Sequence, residues 1–383
     1  MHILHIVNGY CGSSVYKNLF TSLDILGIIQ TIYVPLNSNN QKISDDHTIN
    51  FSVKGSSIIY STDRKWYHRF LYNAKISVII KKLMHSIDIN RIDLIHAHTL
   101  CLEGAVAYKI HQKHDIPYIA AVRNTDVNTY YKKLFWKRGF FEQILLKAQN
   151  IIFISPAYKK LFFEKKISNS IYDLIDEKSL IVPNGISNFF LEKRVLSKEI
   201  HKPIQIIYSG VFQKGKNIHR VIKAIDKLII KGYDFQFTAI GIGLYNRNNN
   251  VKYVRKIKKI SRSRQWIKLE NSVKQSELCN VLNENDIFVM PSITETFGLV
   301  YVEALSQGLP ILYSKGQGFD GFYEEGKVGY GVNSLDINDI ADKIEQIVEN
   351  YQKIKNKIFE VSLEQFNWSI IAEKYIRIYN NTF

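Results

Sequence analysis

Short apolar runs of strand length alternate with stretches of helical periodicity along this 383-residue chain, and the alternation begins twice. In the first half, residues 3–7, 29–34, 94–98, 118–122, 151–154 and 180–182 read as strands. Between the first two, Val15, Leu19, Leu23 and Leu26 share one side of a helix. Ser155-Pro156 reads as an N-cap followed by proline at the first helical position. Pro183-Asn184-Gly185 is a turn. The charged, aperiodic stretch 191–203 reads as a linker, after which the pattern restarts with strands at 204–208, 235–240, 286–290 and 311–313. Ile218, Val221, Ile222, Ile225, Leu228 and Ile229 repeat at helical spacing, and Gly232 closes that helix. Asp336 caps a helix carrying Ile340, Ile344, Ile347 and Tyr351. A last helix places Trp368, Ile371, Ala372, Tyr375 and Tyr379 on one face. Consecutive parallel strands need a crossover, which a helix supplies, so this alternation predicts doubly wound parallel sheets. The expected class is α/β, with a domain at 1–190, a linker at 191–203 and a domain at 204–366, the two facing a cleft. Ligands of such sheets bind beyond the carboxyl ends of the strands, where Gly210, Gly241 and Pro291 fall.

The segment 291–310, PSITETFGLVYVEALSQGLP, carries the strongest chemical signal. Glu295 and Glu303 flank a change from loop to helix at Phe297-Gly298. A helix beginning near Phe297 presents the free N–H groups of Phe297, Gly298, Leu299 and Val300, which suit an anion. Gly298 lets a phosphate approach the backbone. Glu303 lies on the second turn among Val302, Ala304 and Leu305, and a buried carboxylate there needs partners. A ribose diol would supply two donors; local backbone capped by the glutamate is the competing reading. A phosphate centre with hydroxyl-rich ends describes a nucleotide sugar.

At 46% hydrophobic content the chain can bury sizeable cores. Cys11, Cys101 and Cys279 are too scattered for a disulfide framework or a zinc site. The beginning MHILHIVNGY reads as a strand and a loop rather than a signal peptide, and no run reaches the roughly 18 apolar residues of a membrane span. A cytoplasmic location is the expectation. The net charge of +16 points to nucleic acid, anionic lipid or phosphorylated ligands. An Ile-, Lys- and Asn-rich composition of the kind an AT-biased genome produces accounts for part of it.

These segments together resemble family 4 glycosyltransferases, which have the GT-B fold of two Rossmann-like domains. Glu295 to Glu303 within ETFGLVYVEALSQGLP resembles the family's E-x7-E signature. SGVFQKGKNIHRVIKAI (209–225) is similar to its glycine-to-lysine loop and following helix, and AIGIG (239–243) to its glycine turn. LIVPNGI (180–186) resembles the interdomain segment, while DLIHAH (93–98) and the loop near Gly12 resemble patterns of the N-terminal domain. FNWSIIAEKYIRIY (366–379) resembles the terminal helix that crosses back to that domain, so 367–383 is expected there. The resemblance spans nearly the whole chain. It implies a retaining transfer of a hexose from a UDP- or GDP-linked donor, with no metal and no further cofactor. It gives Glu295 the sugar hydroxyls, Glu303 the ribose and Lys216 the diphosphate, with Asn217 beside the lysine and the amides of Phe297, Gly298, Leu299 and Val300 facing the diphosphate. Gly12, Gly210 and Gly243 complete the expected donor contacts. Fixed cations and amide dipoles would stabilise charge developing on the leaving diphosphate.

Three positions depart from the family pattern. Val211 stands where an arginine usually follows the loop glycine; Lys214 either replaces that charge or is a solvated lysine. Where an HG-type turn is usual, this chain reads Val122-Arg123-Asn124-Thr125-Asp126, so Arg123 or Asp126 is the candidate to face the anomeric region. The glycine turn Gly241-Ile242-Gly243 lacks its usual aspartate.

His96 and His98 point the same way from a strand end, but with no evident third ligand, packing or hydrogen bonding outweighs a metal pair. Asp286 and Asp320 are isolated acids. A glycosidase also uses paired carboxylates, yet would leave the phosphate-type loops without purpose. Residues 64–70 (with Lys81-Lys82) and 130–141 mix lysine and arginine with aromatics, which suits an anionic membrane surface; amphipathic helices with solvated basic faces are the alternative. No nucleic-acid module is recognisable. The expected activity is hexose transfer to a lipid-linked or glycan acceptor in cell-surface polysaccharide synthesis, of the capsular or O-antigen kind, at the inner face of the plasma membrane. A non-catalytic sugar-nucleotide sensor and a GT-B epimerase or phosphorylase are the alternatives.

Overall fold

Seven short strands build the first of two parallel sheets in the computed structural model, which describes residues 1–36, 48–62, 71–195, 199–243 and 251–382. They are β1 (His2–Ile6), β2 (Ile29–Pro35), β3 (Ser57–Ser61), β4 (Leu94–Ala97), β5 (Tyr118–Val122), β6 (Ile151–Phe153) and β7 (Ser179–Ile181), in the order β3-β2-β1-β4-β5-β6-β7. Every pairing is parallel, and β4, β5 and β6 are buried at each residue, as strands covered on both faces must be. The winding reverses between β1 and β4, where His5 pairs in register with His96.

The first unit comprises Met1–Ile154, Lys159–Gly185 and Trp368–Phe383. The C-terminal helix Trp368–Asn380 therefore belongs to it, packed on the helix Ser14–Ile25. Trp368, Ile371, Ala372, Tyr375, Ile378 and Tyr379 join the core with Ile3, Val7, Phe20 and Leu23. Gly185 makes room for that helix, since a Cβ there would meet the Trp368 ring at 2.6 Å.

The second unit holds Ser155–Tyr158 and Ile186–Asn367. Its sheet contains β8 (Ile204–Ser209), β9 (Phe235–Ile242), β10 (Ile267–Asn271), β11 (Ile287–Val289), β12 (Ile311–Ser314) and β13 (Gly329–Val332), in the order β10-β9-β8-β11-β12-β13. Its winding reverses between β8 and β11. The helix Ile218–Ile230 buries Ile218, Val221, Ile222, Ala224, Ile225 and Leu228. It ends as its glycine predicts: Gly232 (φ 101°) donates to Ile229 O at 2.9 Å and Tyr233 N donates to Leu228 O at 3.1 Å. Asp336 caps the helix Ile337–Glu349 by accepting from Asn338 N and Asp339 N.

Three strands escape the sequence reading. The edge strand β3 has no fully buried residue, β10 is an edge strand carrying Lys268 and Glu270, and β13 spends two of its four positions on glycine. Of the stretch 191–203, residues 191–192 end the helix Asn188–Glu192, and the described part lies within the second unit. Among the described residues, no helix is long and apolar enough to cross a membrane.

Candidate functional site

In the second unit the loops after β8 and β11 converge at the carboxyl end of the sheet. Gly210, just past β8, donates to Ile240 O at 3.0 Å. Gly241 faces it with φ 135°, and a Cβ there would lie 2.0 Å from Gly210 O. The two strand ends thus meet backbone to backbone, which only glycine permits. Gly243 (φ 86°) follows on the same turn.

The chain then forms a single turn, Lys214–Lys216, and enters the helix Ile218–Ile230 through Asn217 in a left-handed conformation (φ 70°). Asparagine tolerates that backbone, and its side chain has a structural task as well. Asn217 is fully buried; its Nδ2 donates to Pro291 O at 3.0 Å and to Ser334 O, and its Oδ1 accepts from Arg220 Nη1 at 2.7 Å. With these partners the side chain of Asn217, expected beside the lysine at the donor site, braces the loop from behind. Lys214 is exposed, whereas Lys216 turns inward.

A backbone bond from Ile293 N to Gly215 O (2.8 Å) ties the two loops together. Lys216 Nζ there meets Glu295 Oε2 at 2.5 Å, and both side chains are largely covered. Glu295 is held by its own backbone: its N–H donates to Gln317 Oε1 at 3.2 Å and its carbonyl accepts from Gly318 N at 3.0 Å. Gly318 must be glycine, because a Cβ would sit 2.7 Å from Glu295 Cγ at φ 46°. Gln317 and Gly318 were missed from the sequence; the glycine-dense GQGFDG at 316–321 was the available signal.

The following helix, Leu299–Ser306, starts two residues later than expected, with Gly298 as its N-cap (φ 83°). Phe297 is buried against Phe322 and Phe366, so its ring anchors the loop and its amide lies outside the helix. The amides of Leu299 and Val300 begin the helix, while Tyr301 N is already bonded to Gly298 O at 3.0 Å. A side chain at Gly298 would strike the Tyr301 ring at 2.4 Å. Glu303 is buried, accepts from Gln275 Nε2 at 2.9 Å, and is pushed up to about 7 by burial. Gln275, on the helix Gln275–Asn283, had no distinguishing sequence signal. A cavity of about 570 Å³ lies at the opposite, amino-terminal end of the sheet, lined by Ile204, Tyr233, Asp234 and Tyr351, away from these groups.

The carboxyl end of the first sheet carries its own polar cluster. Asp126 is fully buried and accepts from the amides of Leu100 (3.1 Å), Cys101 (2.8 Å) and Arg123 (2.8 Å). It ties together the turns after β4 and β5, so the expectation that it faces a ligand gives way to a positioning role. Arg123 is half-buried, with Nη1 3.4 Å from Asn184 Oδ1. Glu103, which the sequence reading passed over, is buried and accepts from Asn8 N at 2.5 Å. Burial raises it to about 8, so it carries its proton at neutral pH. Gly12 is exposed at the end of the turn Tyr10–Gly12, with nothing within 4 Å of a Cβ position.

His96 and His98 do have a third neighbour. His5 joins them in a buried group with ring nitrogens within 4.8 Å of one another. His5 Nδ1 and His98 Nε2 share a hydrogen bond of 3.1 Å, and His96 Nδ1 pairs with Tyr379 OH at 2.8 Å. A metal ion must lie near the plane of each imidazole that binds it. The rings of His96 and His98 instead stack at 3.9 Å with planes 25° apart, a packing and hydrogen-bonding arrangement. Asp286 accepts from His201 Nδ1 at 2.7 Å and Gln205 N at 2.7 Å. Asp320 accepts from Gly316 N at 2.7 Å. Of the two basic-aromatic stretches, 64–70 lies outside the described residues, while 130–141 is described.

Residues 191–360 match the family described as glycosyl transferases group 1. An uncharacterized 41.2 kDa protein in the cps region of Klebsiella pneumoniae is 24% identical over 93% of this chain and 97% of its own length. The sucrose-phosphate synthase of Thermosynechococcus elongatus superposes with a TM-score of 0.74 at 18% identity, covering 100% of this chain and 98% of that one. Anabaena Alr3699/HepE in complex with UDP superposes at 0.73 with 14% identity, each chain covered to 100%. The two sheets have the GT-B architecture, and the match to the glycosyl transferases group 1 family falls within the second unit.

Proposed function

We propose that this protein transfers a hexose, with retention, from a UDP- or GDP-linked donor to a lipid-linked or glycan acceptor in cell-surface polysaccharide synthesis, without a metal. The observation that carries the reading is the pairing of Lys216 with Glu295 beside the start of the helix Leu299–Ser306, with Glu303 four residues into it. One cation and two outward amides, those of Leu299 and Val300, suit a diphosphate. Glu295 then turns to sugar hydroxyls, which carboxylates bind well. Glu303 takes the ribose diol beside Gln275. As the sugar–phosphate bond breaks, negative charge grows on the diphosphate, and Lys216 with the helix amides stabilises it in place of a divalent ion. The structural relative solved with UDP and the relative in a cps region support the donor and the pathway.

Calorimetric titration with UDP, GDP and their sugar conjugates tests this reading. Lys216→Ala should weaken donor binding by about 10- to 100-fold, the worth of a hydrogen bond to a charged group. Glu303→Ala should weaken nucleoside diphosphates but leave inorganic pyrophosphate unaffected. Transfer should survive EDTA. Absence of binding by any nucleotide or sugar nucleotide would overturn the proposal, and donor binding without transfer to any acceptor would favour a sensor.

A further inference from the structure

The turn Phe135–Lys137 in the first unit presents its two aromatic rings to solvent: Phe135 is 62% and Trp136 64% exposed, in edge contact at 5.1 Å. Exposed apolar side chains are ordinary singly, but two large adjacent rings on a rigid turn are not. The turn is rigid because its flanks are fastened. Arg138 donates from Nη2 to Tyr131 O at 3.2 Å, and Tyr131 is fully buried beside Phe141. Lys137 Nζ reaches Asn73 Oδ1 at 3.1 Å and lies over the Tyr72 ring at 5.1 Å. This brings in Leu71, 54% exposed at the start of the helix Tyr72–Ser86. Lys132 and Lys133 are exposed just before the turn.

We infer that this turn is a membrane-docking element: Phe135, Trp136 and Leu71 enter the headgroup boundary of an anionic bilayer while Lys132 and Lys133 meet its phosphates. Apolar rings framed by lysine are the arrangement that holds a protein at an anionic lipid interface. The complementary charge is not local alone, since the chain carries a net +16. Aromatic rings at the tip distinguish this surface from a purely electrostatic one, which would need no exposed tryptophan. The inference stands apart from Lys216, Glu295 and Glu303, which lie in the second unit.

The test is co-sedimentation of the full chain with vesicles of phosphatidylcholine alone, or of phosphatidylcholine with phosphatidylglycerol. The wild type should sediment with the anionic vesicles only. Lys132→Ser with Lys133→Ser should weaken binding by about thirtyfold, at about 1 kcal/mol per basic residue near an anionic surface. Phe135→Ser with Trp136→Ser should lose the binding that persists in high salt. Each variant must keep the wild-type melting temperature and UDP titration, so that loss of vesicle binding is not loss of fold or of the donor site. Anionic-vesicle binding unchanged by Phe135→Ser/Trp136→Ser would overturn the inference. So would equal wild-type binding to neutral vesicles, or a preference for single-stranded RNA over anionic vesicles.

Discussion

At the scale of single residues, Glu303 makes the sharpest claim. Its burial holds it near pH 7, so its ionised fraction rises with pH across the neutral range. The carboxylate accepts from both hydroxyls of a ribose diol with both of its oxygens, whereas in the protonated acid one oxygen carries a proton it must itself donate. Donor affinity should therefore rise about tenfold per pH unit below about 7 and level off above it, when measured by calorimetry with UDP. Glu303→Gln should flatten that profile at the weak end. A wild-type profile that is already flat would remove the diol from this residue. Lys216, Glu295 and Glu303 stood out in the sequence through the motifs that carry the family resemblance, and the structure pairs the first two and buries the third. Asp126 was legible as unusual but not in its role. Its three amide partners come from two different turns, and only the fold brings those together. Asn217 is similar: the sequence shows its neighbour Lys216, but not that the buried Nδ2 is taken by Pro291 O.

At the scale of elements, the site depends on two close approaches of backbone. Gly241 lets β9 end against Gly210, and Gly298 lets the Leu299–Ser306 helix start beneath Tyr301. Gly241→Ala should cost the second unit about 3 kcal/mol or more, because a Cβ would overlap the Gly210 carbonyl in a conformation that disfavours side chains. Chemical denaturation measures it, and a change below about 0.5 kcal/mol, the usual range of a neutral substitution, would contradict the geometry. The C-terminal helix has the opposite dependence, on side chains rather than their absence. Ending the chain at Asn367 removes six buried side chains from the first core. At about 1.5–3 kcal/mol for each large one, this exceeds the ordinary stability of a domain. The truncated chain should be recovered aggregated rather than folded. The buried face of this helix was readable from its period, as were the central strands from their apolar runs. The strands β3, β10 and β13 were not, because β3 and β10 are edge strands with partly exposed residues and β13, though buried, spends two positions on glycine and lacks an apolar run.

At the scale of the molecule, the first unit sets neutral histidines against a protonated glutamate, and their opposition predicts how its stability varies with pH. His5 is lowered from 6.5 to about 3 by burial, and His96 and His98 lie well below their ordinary value for the same reason. Below about 6.5 the unfolded chain gains three protons that the folded unit refuses, so stability is lost as pH falls. Glu103 acts in the other direction: raised from 4.5 to about 8, it keeps a proton that the unfolded chain has released, so its contribution is lost as pH rises through that interval. Between about 4.5 and 6.5, three protons against one leave a net acid loss of about two, or roughly 3 kcal/mol per pH unit. Near pH 7.5 the histidine contribution has almost vanished and the glutamate still holds most of its proton, so the slope changes sign. The unit should be most stable close to neutrality, with melting temperature falling on both sides. Glu103→Gln should steepen the acid limb and flatten the limb between about 7 and 8, since it removes a group that opposes the histidines. Melting temperatures of both proteins from pH 5 to 9 decide the matter, and identical profiles would mean that Glu103 is ionised in the folded protein.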